Sequence, residues 1–349
     1  MRLREQTFPQ YFEGYRRLRL VSTIDILALN QEQVETVMTN LIDTEELHLK
    51  KISLDWTTAS CDVLPSAVVK IESVCMSSVG SCHQLECLCA HINVCQKLKL
   101  KKLRIKRANK SHPALHLSSA SAEIVFNALV RLEEVNFGFI MSSDQIQAVA
   151  HKVRDEKDLK LKVLQLHSRC KTDSVPPQEL AEAIIRLEKI SRMRLTPAQI
   201  YFLFKAIQES GEEELKLRGL DLSNKNLAHI PANMLAEATV KLGHVNLLKT
   251  EMTRNQAKAL FTMIASAENL RTTVLVISYN DLSAVPENIL VKAIEKLERV
   301  NLMQTKLNTA QMTAILGIIS PQKFVPSPIY FCALDVLSSL SADLLRFLK

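Results

Sequence analysis

Residues 242–264 read LGHVNLLKTEMTRNQAKALFTMI, and this stretch has counterparts along the chain. Its first half spaces apolar residues as Leu242-x-x-Val245-x-Leu247-x-x-Thr250-x-Met252, and Leu297-x-x-Val300-x-Leu302-x-x-Thr305-x-Leu307 repeats the spacing. Alternation of period 2 marks a short strand whose intervening side chains face away from the core. The second half opens with Thr253-x-x-Gln256, a capping residue three positions before a Gln, so that each side chain satisfies a free amide at a helix N-terminus. Asn30-x-x-Gln33, Ser81-x-x-Gln84, Ser142-x-x-Gln145, Thr196-x-x-Gln199 and Asn308-x-x-Gln311 write the same start. Behind every Gln the apolar residues keep one phase, as in Ala257, Leu260, Phe261 and Ile264 or Ile146, Val149, Ala150 and Val153, which predicts one buried helical stripe. Successive Gln residues lie 51, 61, 54, 57 and 55 positions apart. The chain therefore reads as an array of repeats, and its function is to be sought on a surface.

Between successive Gln residues lies a second helix, phased by Leu64, Ala67 and Val68 in one copy and by Leu290, Ala293 and Ile294 in another. A strand precedes it, as in Leu217-x-x-Leu220-x-Leu222 and Leu275-x-Ile277-x-x-Asn280-x-Leu282, with earlier versions at Leu164/Leu166, Leu103/Ile105 and Ile52/Leu54. An apolar residue and a Pro close the half-repeat at Leu64-Pro65, Val175-Pro176, Ile230-Pro231 and Val285-Pro286, where a missing N–H is harmless at a helix start.

L-x-x-L-x-L-x-x-N/T-x-L followed by a helix, in alternating units, resembles the ribonuclease-inhibitor-like leucine-rich repeats, a group shared with the C-terminal parts of NOD-like receptors and with the Ran GTPase-activating protein. The resemblance covers nearly the whole chain and is strongest over residues 187–319. It implies an α/β solenoid, a horseshoe of about 11–12 repeats with parallel strands on the concave face and helices on the convex one. The expected organisation is an N-terminal cap over 1–30, a continuous array over 31–319, and a C-terminal repeat or cap over 320–349. Phe8, Tyr11, Phe12 and Tyr15 suit a plug at one end, and Leu344, Leu345, Phe347 and Leu348 suit an apolar terminal helix at the other. The ladder position is Thr in one half-repeat (Thr250, Thr305) and Lys225 or Asn280 in the other.

Composition agrees with an array. Of 349 residues 47% are hydrophobic and only 5% aromatic, which fits aliphatic layers, and seven glycines are few for a loop-rich enzyme. No run approaches the roughly 18 apolar residues of a membrane span, and no apolar stretch follows Met1-Arg2-Leu3-Arg4-Glu5 as a secretory signal requires. Five of eight cysteines, Cys75, Cys82, Cys87, Cys89 and Cys95, crowd into one repeat, which argues against a disulfide framework and for a reducing, cytoplasmic setting. The nucleus is the alternative, because Lys101-Lys102-Leu103-Arg104 is similar to a short import motif.

Cys82, His83, Cys87, Cys89, His91 and Cys95 form the one cluster that could be taken for a metal site. Cys89, however, aligns with Leu316, Phe261 and Phe204, which are core positions, and Cys87 and Cys89 point in different directions on a helix. The nucleotide, metalloprotease and serine-hydrolase motifs are absent, so no catalytic residue, cofactor or metal is assigned.

The basic segment from Lys97 to Arg107, with Lys110, holds eight cations; without them 36 basic residues stand against 37 acidic, so the basicity is local. Leu100, Leu103 and Ile105 take core positions, which leaves Lys102, Arg104 and Lys106 on the outer strand face, either as an acid-seeking row or as a solvated strand. By the same register the binding face would comprise Trp56, Lys102, Arg104, Lys106, Phe139, His167, Asp221, His244, Asn246, Tyr279 and Asn301. Trp56, the single Trp, is either an exposed anchor or packed under a loop. The expected function is a non-catalytic, monomeric scaffold that binds a protein, one with an acidic surface if the basic row is used. Nucleic acid fits poorly for want of interleaved aromatics. The resemblance also implies two alternatives: a sensor or autoinhibitory fragment of a NOD-like receptor, and a regulator in trans, as nuclease inhibitor or GTPase activator.

Overall fold

The computed structural model describes residues 2–4, 22–28, 30–43, 49–55, 63–77, 81–106, 119–167, 170, 172–191, 193–318 and 329–330. Two compact units make it up, Met1–Leu195 and Thr196–Lys349. In the first, the strands are β1 (Arg2–Arg4), β2 (Thr23–Ala28), β3 (Lys51–Leu54), β4 (Ser73–Met76), β5 (Lys102–Ile105), β6 (Glu134–Phe137), β7 (Val163–Gln165) and β8 (Lys189–Ser191). Each pairs in parallel with the next in chain order. From β2 onward one helix fills each connection: α1 (Gln31–Asp43), α2 (Val63–Val68), α3 (Cys82–Val94), α4 (Ser119–Leu129), α5 (Ser143–Asp155) and α6 (Pro177–Ile185). The second unit begins with α7 (Pro197–Glu209) and continues β9 (Gly219–Asp221), α8 (Ala232–Val240), β10 (His244–Asn246), α9 (Arg254–Ser266), β11 (Val274–Val276), α10 (Glu287–Lys296), β12 (Arg299–Asn301), α11 (Thr309–Ile318) and β13 (Ile329–Tyr330). Its strands too are parallel and consecutive. Each unit is thus an open parallel sheet alternating strand and helix, and β1 and β2 carry the pairing into the segment read as a cap. The aromatic residues Phe8 to Tyr15, Trp56 and the apolar residues 344–348 lie outside the described residues.

Burial follows the sequence phase. In the first five first-helices every stripe residue is buried, from Val34, Val37, Met38 and Leu41 to Ala257, Leu260, Phe261 and Ile264. In α11, Met312 and Ile315 are buried but Leu316 is only half-buried. All six capping pairs form reciprocally; in the pair at α9, for example, Gln256 N donates to Thr253 Oγ1 at 3.2 Å and Thr253 N to Gln256 Oε1 at 2.7 Å.

The amide nitrogen explains why the third position is Gln at residues 256 and 311. Buried Gln256 donates from Nε2 to Leu227 O and Ile230 O, both at 2.6 Å, and Gln311 does the same to Leu282 O and Val285 O. A Glu would serve the cap but would set a carboxylate against two carbonyls. Gln256→Glu is therefore expected to cost about 2–4 kcal/mol at neutral pH. Burial against two carbonyls raises the folded pKa of this carboxyl above the unfolded value of about 4.3, so the penalty shrinks as pH falls from the folded pKa toward that value and is lost below it. Denaturant melts at pH 7 and pH 4 check this; an equal cost at both would remove the role of the amide proton.

Helix C-termini are closed by cations at or just past the end of the next helix, a pattern that sequence reading missed. Lys70 bonds Ile42 O, and Arg131 bonds the carbonyls of Ile92, Asn93 and Cys95. Arg186 takes Val153, Arg154 and Glu156, Lys241 takes Ile207, Gln208 and Ser210, and Lys296 takes Ala267. A cation there satisfies orphan carbonyls and meets the negative end of the helix dipole. The signal was present, since the last four of these residues recur every 55 positions.

Inside the second unit a buried polar ladder ties neighbouring strand ends together. Asn280 Oδ1 accepts from Thr250 N, Thr250 Oγ1 and Met252 N, while Nδ2 donates to Leu247 O, Ile277 O and Ser278 O. Thr250 and Thr305 close their own turns by donating to Leu247 O and Leu302 O.

Candidate functional site

The strand face opposite the core residues is open, and register sets its residues in rows. In the first unit Lys102 stands between Ser73 and Glu134, and Arg104 between Cys75 and Asn136. Both cations reach the Glu134 carboxylate, at 3.5 and 4.0 Å, with side chains about half exposed. Such pairs contribute roughly 0–1 kcal/mol each, but they halve the charge a ligand would meet. Lys106 is exposed and makes no ion pair among the described residues. The row is therefore compensated at two of three positions, and reversing Lys102 and Arg104 to Glu would crowd carboxylates around Glu134. Along the strand starts of this unit, Lys50, Glu72, Lys101, Glu133, Lys162 and Glu188 alternate in sign, with Lys101–Glu133 at 3.7 Å and Lys162–Glu188 at 4.0 Å. Asn136 Nδ2 donates to Gln165 Oε1 at 2.6 Å, and His167 beyond β7 is half-buried.

Phe139 requires a correction. It is buried, 5% exposed, with its ring 4.6 Å from that of Phe137. Val135, Phe137 and Phe139 keep one period-2 parity, whereas in the second unit the chain turns left-handed at the matching position and changes phase. Trp56 falls outside the described residues.

In the second unit Asp221, His244 and Tyr279 are exposed, and Asn246 and Asn301 are half-exposed. Three of these five are turn formers. Asp221 Oδ1 accepts from Ser223 N, Asn246 Oδ1 from Leu248 N, and Asn301 Oδ1 from Met303 N and Ser278 Oγ. The oxygens are occupied by structure; neither Asn246 Nδ2 nor Asn301 Nδ2 has a partner among the described residues.

Tyr279 sits in a left-handed conformation, φ 62°, that also occurs at Asn224 (59°), Lys249 (51°) and Gln304 (53°) in the neighbouring turns. The turns stack: Asn224 N donates to Leu248 O, Lys249 N to Ser278 O and Tyr279 N to Met303 O. Left-handed backbone costs a residue with a Cβ roughly 1–2 kcal/mol, least for Asn, so an aromatic is the costliest occupant of this row. Nor does burial offset it, because Tyr279 remains 46% exposed. On the far side of the same turns, Glu251 accepts from Asn226 Nδ2, and Asp281 faces Arg254 and Lys306. Hydrogen bonds from Ser283, with Arg254 beside it, hold the Asp281 carboxyl below the usual range despite partial desolvation.

The cysteine-rich helix offers little chemistry. Cys89 is fully buried, and burial, with Glu86 nearby, pushes its thiol far above the ordinary range. Cys87 Sγ lies 3.6 Å from His83 Nε2, but among the described residues no three His, Cys, Asp or Glu side chains gather for a metal. Among those residues, too, no helix is long and apolar enough to cross a membrane. Comparison with protein-family models and with curated proteins returned no significant match.

Proposed function

We propose that the chain is a non-catalytic protein-interaction module built of ribonuclease-inhibitor-like leucine-rich repeats, binding its partner through the open face of its parallel strands. The leucine spacing and the buried Asn280–Thr250 ladder support the repeat class. What carries the functional reading is the division of labour among polar groups. Those on the helices and in the interior are largely spent on caps, clamps and ladders. The open strand face keeps Lys106 and Arg299 exposed with no ion pair among the described residues, and Tyr279 is exposed in the turn beyond β11. Its partner is a protein, and no cofactor, nucleic acid or second copy is needed; the setting is cytoplasmic or nuclear.

The test is affinity capture from native cells with the full chain in three forms. A strand-face variant carries Arg104→Gln, Lys106→Gln, His244→Gln and Arg299→Gln; a helix-face variant carries Lys258→Gln and Lys292→Gln. Partners held by the wild type are expected to survive the helix-face changes and to fall at least fivefold with the strand-face variant, since losing several interface charges costs about 1 kcal/mol or more in sum. Partners lost only from the helix-face variant would place the interaction on the other side and end this reading.

A further inference from the structure

We propose that the open face of β10–β12 takes an acidic peptide segment of a protein partner and that Tyr279 anchors an aliphatic side chain of that segment. This rests on the strand face being the interaction surface and specifies which part of it acts and on what chemistry.

The sign of the ligand follows from the groups present. On this face the positions run His244 and Asn246 on β10, Val274 and Val276 on β11, and Arg299 and Asn301 on β12, none of them acidic, and Asp221 stands beside Asn246 on β9. Arg299 is exposed and makes no ion pair among the described residues, and exposed Lys249 sits in the turn next to Tyr279. Here the second unit differs from the first, where Glu134 already meets Lys102 and Arg104. Of the carboxylates around it, Glu251 and Asp281 on the turns are engaged by Asn226, Arg254 and Lys306, and Asp221, which bounds the face on the β9 side, accepts from Ser223 N.

The geometry adds donors in fixed places. Because Asn246 Oδ1 and Asn301 Oδ1 are held by the turn amides, each Nδ2 is oriented before any ligand arrives. The two lie on strands either side of β11, about 9–10 Å apart at two strand spacings. Between them lie the half-buried Val274 and Val276, and past the buried Ser278 the turn that follows carries the exposed ring of Tyr279. Acceptors on both flanks and one aliphatic group in the middle complement this surface. Polynucleotides do not, since one aromatic cannot stack successive bases.

Fluorescence anisotropy with the full chain tests the assignment. The probe is a labelled ten-residue peptide of Asp and Glu with one central Leu, run beside the same peptide with Leu replaced by Ser, a Lys-for-acid version, and a ten-nucleotide oligothymidylate. Wild type is expected to prefer the Leu peptide over the Ser peptide at least fivefold and to ignore the basic one. Tyr279→Asn suits the left-handed turn, so it is expected to weaken binding at least tenfold without lowering Tm, while Tyr279→Phe stays within threefold. Arg299→Gln weakens binding and flattens its salt dependence; Lys258→Gln leaves it unchanged. Full affinity in Tyr279→Asn, or oligothymidylate binding as tight as peptide binding, overturns the proposal. A chain that ignores the peptide yet loses captured partners through its strand-face variant overturns the acidic assignment alone; one whose partners depend on the helix face overturns the broader reading as well.

Discussion

Leu260→Asp lowers the stability of the second unit by about 5 kcal/mol or more, whereas Lys258→Ala changes it by less than about 0.5 kcal/mol. Leu260 is fully buried in the stripe of α9, which packs against both α8 and α10. Removing its isobutyl group forfeits the transfer energy and leaves a cavity, and the new carboxylate has no partner there. Lys258, two residues away, is exposed on the same helix. For a unit of this size a loss of that order moves Tm by roughly 10 °C or more. Matching thermal shifts in the two variants would mean that the helix does not present the face assigned to it.

Asn280→Ala is expected to cost about 4 kcal/mol, nearly as much, though it removes no apolar surface. The side chain is 3% exposed, with three donors within hydrogen-bond distance of Oδ1 and the two Nδ2 protons shared among three carbonyls. Without it the amides of Thr250 and Met252 and the carbonyls of Leu247 and Ile277 lose a buried partner, each loss costing about 1–3 kcal/mol before relaxation and water entry reduce the sum. Native-state hydrogen exchange locates the damage: protection at Thr250 and Met252 drops while amides in the middle of α9 keep theirs. A variant within 1 kcal/mol of wild type, with those two amides still protected, would show that the ladder is dispensable.

The two substitutions probe information of different kinds. Leu260 was legible from its own helix, because the stripe is a local periodicity. The ladder position was legible from the spacing Thr250, Asn280, Thr305, but not the bonds made there, which join residues about 30 positions apart. Among the face residues, exposure at Lys102, Arg104, Lys106, Asp221 and His244 follows strand parity, whereas Tyr279 shares the parity of buried Leu275 and Ile277 and is exposed because the backbone turns left-handed there. Phe139 was misplaced on the face: after β6 the chain keeps the parity of Val135 and Phe137, whereas after β10 it turns left-handed at the matching position and breaks it. Residue type marks that difference only at Asn224: the other left-handed positions carry Lys, Glu, Gln and Tyr where glycine would have been the usual sign.

What the sequence determined by itself is everything that closes within a few residues: the six helix starts, the buried phase of each helix, and the alternation of each strand. Capping acts over three residues and pleating over two, so the side chains involved are adjacent in the chain. Only the tertiary structure decided what the polar groups meet one repeat on: that Glu134 stands beside Lys102 and Arg104, that Arg131 and Arg186 close a preceding helix, and that Asn280 bridges to Thr250 and Met252. Those encounters are set by parallel register between strands some 30 residues apart, and register comes from packing the whole stack at once.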